Sequence, residues 1–104
     1  MTSIKVDQRD SHFTIEISGH ANYAPKGQDI VCAGISLLSF MIHKIVLEET
    51  KVISDIFEEG FCRFAFVAED NLTQEKIKTI ASGYQMLSEV YPNYVSFTST
   101  DVEI

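Results

Sequence analysis

The sequence predicts an α+β domain with the element order ββαββαβ, a mostly antiparallel sheet carrying two packed helices. Three observations predict it. Short segments of strict apolar and polar alternation come in pairs around tight turns, as in hairpins with one buried face. Two longer segments, near residues 29–49 and 71–90, change to helical spacing. At 104 residues the chain has room for a single domain, 1–104, with a real but modest core.

Each element follows from its residues. Ser3 to Val6 and Phe13 to Ser18 alternate, with Ile4 and Val6, then Phe13, Ile15 and Ile17, on the buried side. Gln8-Arg9-Asp10-Ser11 is the turn between them. Gly19 to Gln28, holding Gly19, Pro25 and Gly27, reads as a loop. A helix runs from Asp29, a good N-cap, to about Glu49. One stripe on it is Val31, Ile35, Leu38, Ile42 and Ile45; a second, Ala33, Leu37, Phe40 and Leu47, covers much of the other side. A helix apolar nearly all round must bury both faces, and one sheet covers only one, so a symmetric homodimer or a covering loop is expected. Lys51 to Phe57 and Phe61 to Val67 read as strands around Glu58-Glu59-Gly60. Asn71 or Thr73 caps a second helix with Ile77, Ile80, Ala81, Tyr84, Leu87 and Val90 on one face, and Pro92 ends it. Tyr94 to Thr98 closes the sheet.

Composition narrows the function. Hydrophobic residues at 45% and charged residues at 22% are ordinary globular usage and exclude a disordered chain. A net charge of −7 argues against bare nucleic acid or an anionic membrane as the main partner and favours a basic one. Two cysteines are too few for a secreted disulfide scaffold and lack zinc spacing. The N-terminus has no apolar segment of signal type, and the apolar run Ile30 to Ile42 stops at His43-Lys44, short of the ~20 residues of a membrane span. The expectation is a reduced, cytoplasmic domain without metal or cofactor.

Chemistry concentrates between residues 18 and 36. His20 stands just past a strand end, and Cys32 falls in the first turn of the Asp29 helix. An ordinary free thiol is only about 3% thiolate at pH 7, and a helix N-terminus alone leaves most of it protonated. A neighbouring imidazole that takes the proton supplies the larger effect, and His20 is the candidate. The plain alternative is that Cys32 is core, like Cys62 inside its strand, and that His20 has no partner. His12 and His43 have no carboxylate or thiol at ligand spacing, and the pairs Glu48-Glu49, Glu58-Glu59 and Glu69-Asp70 read as solvated element ends.

Gly19-His20-Ala21, a loop with Gly27, then Asp29-Ile30-Val31-Cys32-Ala33 and Ser36 resembles the ribosomal-processing cysteine proteases, the bacterial Prp family. The resemblance runs over essentially the whole chain. It implies a cytosolic, homodimeric cysteine endopeptidase that removes a short N-terminal extension from the large-subunit ribosomal protein numbered twenty-seven. It puts the nucleophile on Cys32 and the general base on His20, with supporting positions at Gly19, Asp29 and Ser36. Backbone N–H groups of the first helical turn would hold the oxyanion, and the segment from Ala21 through Pro25 and Gly27 to Gln28 would be a mobile cover. Asp29 is expected to do more than cap, by orienting His20 or favouring its protonated form, because a carboxylate near the thiol otherwise disfavours the thiolate. The alternative from another class is a non-enzymatic, dimeric acidic module that binds a basic ribosomal protein, with Cys32 as core.

Overall fold

The computed structural model describes residues 1–101; the last three residues of the expected domain lie outside them. Seven elements follow in the predicted order: β1 (Thr2–Arg9), β2 (His12–Ser18), α1 (Ile30–Glu49), β3 (Lys51–Glu58), β4 (Phe61–Val67), α2 (Asn71–Val90) and β5 (Val95–Thr100). The sheet order is β3-β4-β2-β1-β5. Every neighbouring pair is antiparallel except β1 with β5. Each helix therefore crosses between two strands of like direction: α1 carries the chain from β2 over β4 to β3, and α2 carries it from β4 over β2 and β1 to β5.

The alternating residues do what their period requires. Ile4, Val6, Phe13, Ile15, Phe64 and Phe66 point to one face and are fully or nearly fully buried. They meet Val31, Ile35, Ile42 and Val46 of α1 and Ile77, Ala81 and Tyr84 of α2 in one cluster. Each such side chain contributes roughly 1.5–3 kcal/mol by leaving water, an upper figure that chain entropy largely offsets.

Several boundaries moved, each for a local reason. The first hairpin pairs as far as Arg9 with His12, so its loop shrinks to Asp10-Ser11, with Asp10 at φ 53°. The α2 cap is Asp70 rather than Asn71 or Thr73, because its carboxylate accepts from the Thr73 N–H at 3.2 Å. β5 starts one residue later and runs to Thr100, held by parallel pairing with β1.

The second stripe of α1 stays open. Leu37, Phe40, Met41 and Leu47 are 61, 59, 44 and 54% exposed, so the loop before the helix does not cover them. By length and composition alone α1 would suffice to cross a membrane, since the helix continues through His43-Lys44. Its buried side, Val31, Ile35, Ile42 and Val46, is nevertheless packed into the shared core.

Candidate active site

Register brings the site together. Ile17 pairs with Cys62 and Ser18 with Phe61, so the end of β2 lies beside the start of β4. The next contact is between two glycines: the Gly19 N–H donates to the Gly60 carbonyl at 2.9 Å. Gly19 has φ 89°, and a Cβ there would lie 2.5 Å from the Met1 carbonyl oxygen, so only glycine fits this turn. Gly60, at φ 82° in the β3–β4 turn, leaves room for the His20 ring; a Cβ would stand 3.0 Å from His20 Nε2. The two glycines thus set where the imidazole emerges from the strand end.

Asp29 sets the thiol. Its Oδ1 accepts from the Cys32 N–H at 2.9 Å, which fixes the first turn of α1, and its Oδ2 accepts from the Tyr23 N–H at 3.0 Å, which fixes the loop. Partial burial raises its pKa, but the N–H groups of Cys32, Tyr23, Ala24 and Val31 together outweigh burial and hold the carboxyl below its ordinary range. The expected contact with His20 is not made: both Asp29 oxygens are engaged by backbone, one at the helix start and one in the loop, and no hydrogen bond runs from it to His20 among the described residues. The oxyanion expectation narrows for the same reason. The Cys32 N–H is committed to Asp29 Oδ1 and the Ala33 N–H to the Asp29 carbonyl.

His20 and Cys32 share two adjoining cavities. The first, about 380 Å³, lies between α1 and the sheet and is walled by Ile17, Phe40, Phe57, Phe61 and Cys62, with His20, Glu58 and Glu59 at its rim. The second, about 570 Å³, opens toward the loop and is lined by Asn22, Ala24, Lys26, Gly27 and Asp29. Ser36, one turn after Cys32, faces both. Cys32 is half-buried and His20 exposed, and no hydrogen bond joins them in this structure among the described residues. An apolar trough thus adjoins a more open cavity, and a thiol and an imidazole border both.

The loop is only partly free. Ala21, expected in the mobile cover, is 2% exposed and belongs to the core. Tyr23 stands edge-on to Tyr91 and Tyr94, at 5.4 and 5.1 Å between ring centroids. In 24–28, Pro25 and Gly27 are exposed and the Gln28 N–H donates to the Pro25 carbonyl. Sequence reasoning did not assign Gly60, Phe57 or Phe61 to the site. Gly60 had a signal, since a glycine closing a two-residue hairpin loop marks a positive φ; the aromatics join the cavity only through cross-strand register. His43, which has no carboxylate at ligand spacing in the sequence, meets one across the fold: Asp55 Oδ1 on β3 lies 2.9 Å from its Nε2.

A thiol in the first turn of a helix, sharing a peptide-sized cavity with an imidazole at a strand end, is the layout of a thiol-dependent hydrolase. The sequence model of the cysteine protease Prp matches residues 1–96, and the chain belongs to that family. Among curated relatives, the ribosomal processing cysteine protease Prp of Bacillus subtilis is 40% identical over 63 residues, which spans 55% of this chain and about half (56%) of that protein. The protein of the same name from Mycoplasma pneumoniae is 29% identical over 93 residues, covering 84% of this chain and 87% of the relative. In three dimensions the chain superposes on the essential ribosomal processing protease Prp of Staphylococcus aureus, solved with a covalently linked product peptide. The TM-score is 0.81 at 21% identity, over 95% of this chain and 99% of that one.

Proposed function

We propose that this protein is a cytoplasmic cysteine endopeptidase that removes the N-terminal extension of the large-subunit ribosomal protein numbered twenty-seven, with Cys32 as nucleophile and His20 as general base. The observation that carries this reading is the cavity both side chains share, between the first turn of α1 and the end of β2. His20 takes the thiol proton, and the Cys32 thiolate attacks the scissile carbonyl to form a tetrahedral adduct. Collapse of the adduct expels the new amine, which receives the proton back from His20, and leaves a thioester on Cys32. Water then hydrolyses the thioester, with His20 accepting its proton. The absence of a Cys32–His20 hydrogen bond in the free protein is compatible with this, because catalytic contacts often tighten only with substrate bound.

The apolar trough receives a large apolar side chain of the substrate beside the scissile bond, and 24–28 folds over the peptide from the other side. The net charge of −7 suits a basic ribosomal substrate. The open stripe of Leu37, Phe40, Met41 and Leu47 is the surface through which we place a second copy of the chain.

Mass spectrometry of the extended ribosomal protein incubated with this protein or with its Cys32→Ala variant tests the reading. The expected result is one N-terminal cut with the native protein and at least about a thousandfold slower release with the variant. Binding without cutting by both proteins would replace the protease reading with that of an acidic docking module.

A further inference from the structure

We infer that His43 and Asp55 form a clamp that holds Phe57 in place as a wall of the substrate cavity, which makes the pair positioning residues for substrate selectivity. The inference rests on the protease reading above and concerns residues outside the Cys32–His20 pair.

His43 projects from the middle of α1 toward β3. Its Nε2–H donates to both carboxylate oxygens of Asp55, at 2.9 and 3.0 Å. The two side chains are 22 and 28% exposed, so solvent screens the contact only in part. Asp55 faces the helix because it pairs with Phe64, whose side chain is fully buried on that face, and Phe57 follows two residues later on the same face. The His43 ring lies 4.7 Å from the Phe57 ring and 5.2 Å from the Phe64 ring. Phe57 is stacked on its other flank against Phe40 at 5.1 Å. Phe40 and Phe57, together with Phe61, are aromatic walls of the cavity shared by Cys32 and His20.

Two features make the hydrogen bond matter for the cavity. β3 is an edge strand with β4 as its one neighbour, and its register shifts between Val52 and Ser54. Phe57 pairs with Cys62 on β4, and no second strand lies on its free edge, so its ring is bounded by Phe64 and by His43 and Phe40 of the helix above it. A polar pair at this seam also costs desolvation that an aliphatic pair would avoid, while supplying a direction that aliphatic contacts lack. The direction here fixes the plane of the His43 ring against Phe57. Cys32 and His20 stand on the first turn of α1 and the end of β2, so loosening Phe57 leaves the reacting groups where they are.

The consequence is a split between binding and chemistry. With the extended N-terminal peptide of the ribosomal protein as substrate, Asp55→Ala is expected to raise KM about tenfold while kcat stays within about threefold. Asp55→Asn, which keeps an acceptor oxygen for His43, stays within about twofold of the native KM. Labelling of Cys32 by iodoacetamide proceeds at the native rate in both. A lower melting temperature with native KM in Asp55→Ala would make the pair merely structural and overturn the inference, as would an equal rise in KM for Asp55→Asn. If Asp55→Ala does not fold, His43→Gln, which keeps a donor but loses the ring, must show the same rise in KM or the inference falls. Failure of the native protein to cut the peptide overturns the protease reading and this inference with it, a result distinct from native cutting with unchanged KM in the variants.

Discussion

Cys32 and Cys62 border the same cavity, one on the helix side and one on the sheet side. Cys62 is 8% exposed inside β4, and its S–H donates to the Glu58 carbonyl at 3.7 Å. Burial pushes its pKa up despite that hydrogen bond, and the charges of Asp55 and Glu58 add to the rise. Cys32 is half-buried, opens onto both cavities with His20, and has its backbone rather than its sulfur tied down, through Asp29. The comparison teaches that position within the fold separates the two thiols. A thiol on a strand facing the core is shielded, whereas one in the first turn of a helix opens onto a cavity that it shares with an imidazole.

The largest way to break the contrast is to remove the imidazole. His20→Ala should lower kcat/KM by about 10²- to 10⁴-fold, the usual range for a general base. It should also bring the alkylation rate of Cys32 down toward that of Cys62. Unchanged alkylation of Cys32 in this variant would show that some other group accepts its proton.

How much of this was legible in the sequence follows from the range of the interactions. Period-2 alternation gave the β1–β2 and β3–β4 hairpins, and the Asp29 cap with its apolar stripe gave α1, because these signals are local. Gly19, His20, Asp29, Cys32 and Ser36 were legible because fewer than twenty residues hold them all and one strand end, one loop and one helix start place them. The His43–Asp55 pair and the Phe40–Phe57 stack were not, because they join a helix to a strand whose register no local spacing reveals. The anchoring of Ala21 and Tyr23 was hidden likewise: Tyr91 and Tyr94 lie about seventy residues further along. The open face of α1 was legible as a surplus of apolar residues, and it remains open in the single chain.

A smaller effect sharpens the comparison from the side of Asp29. Asparagine caps a helix nearly as well as aspartate, but it offers one acceptor oxygen where the Cys32 and Tyr23 N–H groups need two. Asp29→Asn should therefore keep α1, loosen 24–28 to proteolysis, and lower kcat/KM by about tenfold, or 1.4 kcal/mol. The pH dependence has a definite sign. The folded-state pKa of Asp29 is depressed, so its carboxylate stabilises the fold above the unfolded value of about 3.9, and that contribution is lost as pH falls through the folded value. The difference in melting temperature between native protein and Asn variant should shrink below about pH 4. A difference that stays constant from pH 3 to 7 would remove the charged role of Asp29.

The contrast between the two thiols is tested most directly by their rates of alkylation in the folded native protein, followed by peptide mass spectrometry after a brief exposure to iodoacetamide at pH 7. Cys32 should be labelled at least about a hundredfold faster than Cys62, and labelling should abolish peptide cleavage in proportion. Equal or negligible labelling of both residues, or full cleavage activity after Cys32 is blocked, would contradict the assignment of Cys32 as the nucleophile.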